Sequence, residues 1–230
     1  MLSNSQKLLG NKNHLGRRYL IFLIGLFVCS FGVAFATKAG LGTSPISSIP
    51  YTLSLIFSEI SFGEWAIIFG VLQIAAQAVL LWKRIAVSEL LMQAVPSFAF
   101  GYFVDFSLLV LEGFAPEGYV QQFLFLLLGC AILAFGVYLE LLADVTMLAG
   151  DAINKAIAIV TKKEYGNVKI ATDIAMCGIS AILALVCLHR LVGVREGTLV
   201  AALIVGSIIK FYQKLFRPLA DRILPDNKPQ

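Results

Sequence analysis

Six long runs of apolar residues dominate the chain, at positions 18–37, 62–82, 88–111, 119–142, 168–189 and 197–216. A helix needs about 20 apolar residues to cross the hydrocarbon core of a bilayer. Each run is therefore long enough for one crossing, and the pattern predicts an all-α, polytopic membrane protein with six transmembrane helices. Two further segments, 43–58 and 145–160, are more mixed in composition and are too short or too polar to be assigned as spans.

The composition fits a chain whose solvent is the bilayer. Of 230 residues, 59% are hydrophobic and 14% are charged, whereas a soluble domain carries about a quarter charged residues. Six spans leave no room for a soluble domain, so we predict a single transmembrane domain over 1–230 with short polar tails. The net charge of +4 lies at the ends of the runs, where it affects membrane orientation and does not indicate nucleic-acid binding.

The second half of the chain repeats the first at an offset of 104 residues. Leu23-Ile24-Gly25 and Phe31-Gly32-Val33 match Leu127-Leu128-Gly129 and Phe135-Gly136-Val137. Further along, the glycines keep nearly the same offset: Gly63 matches Gly166 and Gly101 matches Gly206. We therefore predict two structural repeats, about 15–112 and 119–217. Three spans in each repeat would insert the second copy upside down, which gives a 3+3 inverted repeat.

The distribution of lysine and arginine supports this threading. With the N-terminus inside, the cytoplasmic segments would be 1–18, 83–87, 143–168 and 217–230. Together with the helix-end residues Lys169, Lys210 and Lys214, they hold fifteen of the eighteen basic residues. Such a bias is the positive-inside rule, so we expect a multi-pass protein of the bacterial inner (plasma) membrane with both termini in the cytoplasm.

The two mixed segments occupy matching positions in the repeats. In the six-span threading, 43–58 would dip into the membrane from outside and 145–160 from inside. Irregular backbone at membrane depth is tolerated where protein buries it or where it lines a cavity, so both segments would border a binding site. The alternative is a pair of amphipathic helices that lie at the membrane interface.

Four motifs resemble the YczE/YyaS/YitT-like integral membrane proteins. The motifs are Ala39-Gly40-Leu41-Gly42-Thr43-Ser44-Pro45, Met147-Leu148-Ala149-Gly150-Asp151-Ala152, Val194-Arg195-Glu196-Gly197-Thr198 and Phe100-Gly101-Tyr102-Phe103-Val104-Asp105. The likeness covers about 17–216. It implies a permease-like membrane protein, and it does not imply a particular substrate.

Candidate binding residues lie in and around the mixed segments. Hydroxyl groups and a helix start can bind anions or polar groups, whereas carboxylates suit an amine or a coupling cation. We expect Asp151 and Lys155, four residues apart, to pair on one helix face, and Asp144 or Thr146 to cap that helix; a solvated loop helix is the alternative. The predicted substrate-binding residues are Thr43, Ser44, Ser47, Gln73, Glu140, Asp144, Asp151, Asn154 and Lys155.

Other polar residues in the runs have structural interpretations. Gln73 and Gln77 share a face deep in the second run, where hydrogen bonds between helices are the expected role. Lys169 and Asp173 are spaced for an ion pair. Asp105 and Lys210 occupy equivalent repeat positions, but the inverted threading would separate them by about 30 Å, the thickness of the hydrocarbon core, so no direct contact is expected.

The sequence predicts a transporter or permease that works by alternating access, with its site at the interface of the repeats. We find no catalytic motif such as GxSxG, a P-loop or HExxH, and therefore expect no enzyme activity, no cofactor and no metal site. The expected partners are the bilayer, a small molecule or ion, and a second copy of the chain, since six short spans enclose little volume. The alternative is a non-transporting binding subunit or accessory factor that needs a separate partner.

Overall fold

A computed structural model describes residues 15–82 and 85–218. Lys83, Arg84 and most of the charged tails used to predict the orientation lie outside these residues. In the described parts the chain forms eight helices: α1 (Leu15–Lys38), α2 (Pro45–Ile56), α3 (Phe62–Leu81), α4 (Val87–Val110), α5 (Tyr119–Ala143), α6 (Ala149–Thr161), α7 (Tyr165–Leu188) and α8 (Glu196–Leu215).

Six of these helices, all except α2 and α6, are long and apolar enough to cross a membrane. Their bounds agree with the six predicted runs to within a few residues, so the prediction of an all-helical, multi-pass membrane protein is confirmed at this level. The two mixed segments form the short helices α2 and α6. The order of helices is thus long, short, long, long, and then the same again.

The centre of the fold is the crossing of α1 and α5, the most extensive helix pair. Glycines on each helix face the backbone of the other. A Cβ atom on Gly32 would meet Leu133, and one on Gly136 would meet Cys29. Gly25 and Gly129 make similarly close approaches to the opposite helix. Small residues let two helix backbones come together in a membrane, where packing takes the place of the hydrophobic effect.

The short helices pack on long helices of the other half. Helix α2 lies against α7 and α6 lies against α3, besides the contacts within each half. Gln77 Nε2 of α3 donates to the Ala149 carbonyl at the start of α6 (3.3 Å), and Ser180 Oγ of α7 donates to the Ser48 carbonyl in α2 (3.1 Å). The hydrogen bond between helices predicted for Gln77 is therefore confirmed.

The loop before α2 is hydrogen-bonded to the residues around the start of α8. Thr43 N donates to the Gly193 carbonyl (3.0 Å), and Gly197 N donates to the Leu41 carbonyl (2.9 Å). The Arg195 guanidinium donates to the Gly40 carbonyl (2.9 Å). Gly40 and Gly42 have positive φ, and a side chain on Gly42 would collide with Thr198. Two of the motifs that carry the family resemblance are thus partners in one structural contact.

Candidate functional site

A cavity of about 300 Å³ lies where the first residues of α2 and α6 meet. The two helices begin in the interior and end at the surface: Ser47 and Ser48 in α2 are buried, whereas Phe57 just after it is 53% exposed. Helix α6 follows the same course, from buried Ala149 to exposed Ile159. At the meeting point Ile46 of α2 contacts Gly150 of α6, where any larger residue would collide with it. Both halves of the chain therefore contribute to one cavity.

Local sequence explains why the two helices start here. Pro45 occupies the first turn of α2, a position that proline favours because it has no N–H group to leave unpaired. Ser44 and Leu148 are the N-cap residues, and neither side chain makes a capping hydrogen bond. The first turn of a helix carries partial positive charge, although Ser47 N and Asp151 N here donate to the carbonyls of their own N-cap residues. Two such ends border the cavity.

Five of the predicted binding residues line the cavity: Ser44, Ser47, Gln73, Glu140 and Asp151. They come from the two short helices and their caps, from α3 and from α5, so the fold gathers residues that are far apart in the sequence. Ser44 Oγ donates to Ser47 Oγ (2.9 Å). The hydroxyl hydrogen of Ser47 makes no hydrogen bond to the described residues and remains available to a ligand.

The other four predicted residues lie elsewhere. Thr43 is buried and accepts a hydrogen bond from Thr37 (3.0 Å). Asn154 is buried and accepts one from Thr172 (2.7 Å). Asp144 ends α5 in a left-handed conformation. Lys155 is exposed on the outer side of α6. None of the four is among the residues that line the cavity.

Two local predictions about α6 were wrong. Asp151 pairs with Lys169 of α7 (3.3 Å), not with Lys155, because α6 packs on α7 and the Lys155 side chain stays exposed. Neither Asp144 nor Thr146 caps α6, because the helix begins later, after Leu148. The N-terminal end of α6 consequently stays open to the cavity.

Lys169 and Asp173 line the cavity but were not predicted as binding residues. Their predicted ion pair is confirmed (3.8 Å). Lys169 thus lies between two carboxylates, Asp151 and Asp173, and the Tyr165 hydroxyl also donates to Asp151 (3.2 Å). The spacing of Lys169 and Asp173 was visible in the sequence. The packing of α6 on α7, which brings the pair to the cavity, was not.

Two residues of the cavity wall each have a buried polar atom without a hydrogen-bond partner among the described residues: Glu140 (Oε1) and Gln73 (Nε2). Gln73 is 8% exposed. The Cys29 thiol lies within hydrogen-bonding reach of the Glu140 carboxyl group. Buried polar groups are normally satisfied, and an unsatisfied one has a considerable energetic cost. A ligand could satisfy both atoms. The rest of the wall is largely apolar, with Val33, Phe69, Phe100, Leu133 and Val137 among its residues.

Comparisons with known proteins agree with the resemblance read from the motifs. A family described as a family of unknown function, DUF6198, matches residues 16–214. An uncharacterized protein YyaS of Bacillus subtilis (strain 168) is 26% identical over 95 residues, which is 41% of this chain and 45% of that protein. The match therefore spans less than half the length of that relative. No solved structure matches the chain.

Proposed function

We propose that this chain, which belongs to the family of unknown function DUF6198, is a small-molecule transporter that works by alternating access. The observation that carries the proposal is the cavity, in which the starts of two short helices from different halves of the chain meet among polar side chains. Many secondary transporters build their substrate sites from such interrupted segments at the interface of two repeats. The proposal needs no catalytic residue and no cofactor.

We propose that the halves are a 3+3 inverted repeat, with α2 and α6 entering the membrane from opposite sides and returning. The contacts of the central crossing support this proposal. Adding the offset of 104 to Gly32 gives Gly136, and adding it to Cys29 gives Leu133. The contact of Gly32 with Leu133 and that of Gly136 with Cys29 therefore exchange under the repeat. Ile46 and Gly150, which touch each other, are also equivalent positions.

The way each short helix is held by the other half of the chain gives further support to the inverted repeat. Gln77 and Ser180 are equivalent at offset 103, the same offset that relates Gly63 to Gly166. Gln77 anchors α6 and Ser180 anchors α2. A two-fold axis in the membrane plane accounts for both anchors. We propose further that the protein lies in the bacterial plasma membrane with both termini in the cytoplasm, on the basis of the positive-inside bias.

The test is flux through proteoliposomes. The purified protein would be reconstituted and incubated with a mixture of small metabolites, and the internal solution would be analysed by mass spectrometry against empty liposomes. Ser47→Ala removes a hydroxyl group from the site and Asp151→Asn removes a negative charge, so each should lower the accumulation of the transported compound by about tenfold. Both variants should be obtained at wild-type yield, since the ion pair of Asp151 is partly exposed and contributes little to stability.

Matched control variants are available in the same chain. Ser54→Ala changes a serine of the same helix that does not line the cavity and hydrogen-bonds to the Tyr51 carbonyl. Glu112→Gln changes an exposed carboxylate beyond the end of α4. Both controls should transport normally. Normal flux through both Ser47→Ala and Asp151→Asn would refute this assignment of the site.

The same experiment separates transport from a second class of function. Compounds that bind the purified protein without any flux would favour a binding subunit that needs a separate energising partner. Chemical cross-linking in the liposomes would test the proposed homodimer. A dimeric species at wild-type flux would support the dimer, and a monomer at full flux would rule it out as a requirement.

A further inference from the structure

Building on the site of the proposed function, we propose that the cavity binds an apolar amino acid. Its ammonium group would pair with Glu140, and its carboxylate would be held by Gln73 and the start of α2. The proposal follows from two unpaired groups of opposite hydrogen-bonding character in one largely apolar cavity. Three features of the cavity carry it: a donor side, an acceptor side and an apolar wall.

The donor side is formed by Gln73 and the first turn of α2. Gln73 is more than nine-tenths buried, and its amide nitrogen has no acceptor among the described residues. Ser44 and Ser47, at the uncapped N-terminal end of α2, line the same cavity. A helix N-terminus attracts negative charge, and Gln73 adds a buried, unused N–H donor from another helix to the wall of the same cavity. A carboxylate satisfies both.

The acceptor side is formed by Glu140. Three carboxylates and one ammonium group line the cavity: Glu140, Asp151, Asp173 and Lys169. Lys169 is shared by Asp151 and Asp173. Glu140 therefore has no cationic partner in the described part of the chain, and its Oε1 atom is buried without a hydrogen bond. An ammonium group supplies the charge that this carboxyl group lacks and a donor for its unpaired Oε1 atom.

The apolar wall indicates that the side chain of the ligand is apolar. Val33, Leu133 and Val137 lie on the central helices, and Phe69 and Phe100 lie on α3 and α4. At about 300 Å³ the cavity is within the range of small-molecule sites. A simple cation would leave Gln73 unpaired, and a simple anion would leave Glu140 unpaired. A zwitterion with an apolar side chain satisfies all three features.

The test is calorimetric titration of the purified protein with matched ligands. Leucine is compared with 3-methylbutylamine, which lacks the carboxylate, and with 4-methylpentanoate, which lacks the amine. Phenylalanine is compared with phenethylamine and 3-phenylpropionate in the same way. At least one of the two amino acids should bind about tenfold or more tightly than either of its analogues, because each analogue leaves one buried polar group unsatisfied.

Two variants test which residue binds the ammonium group of the ligand and which binds its carboxylate. Glu140→Gln should weaken the amino acid and the amine by about tenfold and leave the acid unchanged, because it removes the charge that pairs with ammonium. Gln73→Leu should weaken the amino acid and the acid and leave the amine unchanged. The exposed control Glu112→Gln should bind all ligands as the wild type does. Gel filtration and circular dichroism of each variant would verify that it is folded.

Each outcome decides the proposal. Failure of both amino acids to bind the folded wild type overturns it, as does a variant that weakens all three ligands of a series equally. The failure of transport is a separate result. Binding with the predicted pattern but without counterflow of the amino acid into proteoliposomes would keep the ligand class and refute transport. Flux of other metabolites without binding of an amino acid would support transport and refute this ligand class.

Discussion

The two halves of the molecule differ most in how their last two long helices pack. Helices α3 and α4 lie side by side, whereas α7 and α8, their counterparts in the proposed repeat, make little contact. The glycines show the difference at single positions. A Cβ atom on Gly63 would collide with the Gly101 carbonyl, but the equivalent Gly166 and Gly206 face open space. Similar sequences thus adopt a closed pair in one half and an open pair in the other.

A polar contact strengthens the closed pair and is missing from the open one. Asp105 of α4 accepts hydrogen bonds from Ser61 Oγ (2.5 Å) and Gly63 N (2.7 Å) at the start of α3. The equivalent of Asp105 is Lys210, which is exposed. No hydrogen bond or ion pair joins Asp105 to Lys210, as expected from the sequence, whereas the bonds of Asp105 to α3 were not predicted. Under the proposed transport by inverted repeats, one closed pair and one open pair would correspond to a state in which the site is accessible from one side of the membrane.

The largest expected effect comes from filling the closed contact. Gly63→Leu would force α3 and α4 apart and should lower the free energy of unfolding by about 3 kcal/mol or more, because no rotamer avoids the backbone of Gly101. The equivalent Gly166→Leu should leave stability unchanged. Thermal unfolding of both variants in the same detergent is the measurement. Equal losses in the two would show that the halves do not differ as described.

The next effect tests the polar contact. Asp105→Ala removes the acceptor of two hydrogen bonds and should cost about 1–3 kcal/mol, whereas Lys210→Ala should stay within about 0.5 kcal/mol of the wild type. The apparent melting temperatures of the two variants would be compared. A loss for Lys210→Ala as large as that for Asp105→Ala would mean that the second half holds a contact of equal strength.

A smaller effect concerns the helix starts. Ser61 caps α3 in a capping box with Glu64, but Glu164, the equivalent cap residue of α7, makes no capping hydrogen bond to its helix. Ser61→Ala removes this cap and also the hydrogen bond to Asp105, and it should therefore cost about 1–2 kcal/mol, whereas Glu164→Ala should cost close to nothing. Hydrogen exchange in the first turns of α3 and α7 would locate the change. Faster exchange in α7 after Glu164→Ala would contradict this difference.

Features that depend on neighbouring residues in the sequence were predictable, and features that depend on the packing of distant segments were not. The six spans were predictable because each is a continuous apolar run, and Ser44, Ser47 and Asp151 were found because their segments are interrupted. The partner of Asp151 was predicted wrongly, since the (i, i+4) rule favours Lys155, whereas the packing of α6 on α7 supplies Lys169. The repeat marks Gly63 and Gly166 as equivalent, but no local pattern indicates that one is closed and the other open.

The last prediction concerns a variant that should not change stability but should change transport. If transport exchanges the two states, α7 and α8 must close on each other as α3 and α4 do now, and Gly166 must then be covered. Gly166→Leu should leave the melting temperature unchanged and still reduce flux into proteoliposomes by about tenfold, because the closed second half would carry an overpacked contact. Gly178→Leu, at another open glycine of the same helix, is the matched control and should transport normally. Normal flux through Gly166→Leu would mean that this contact never closes, and that the difference between the halves is a fixed feature of the fold and not one state of a cycle.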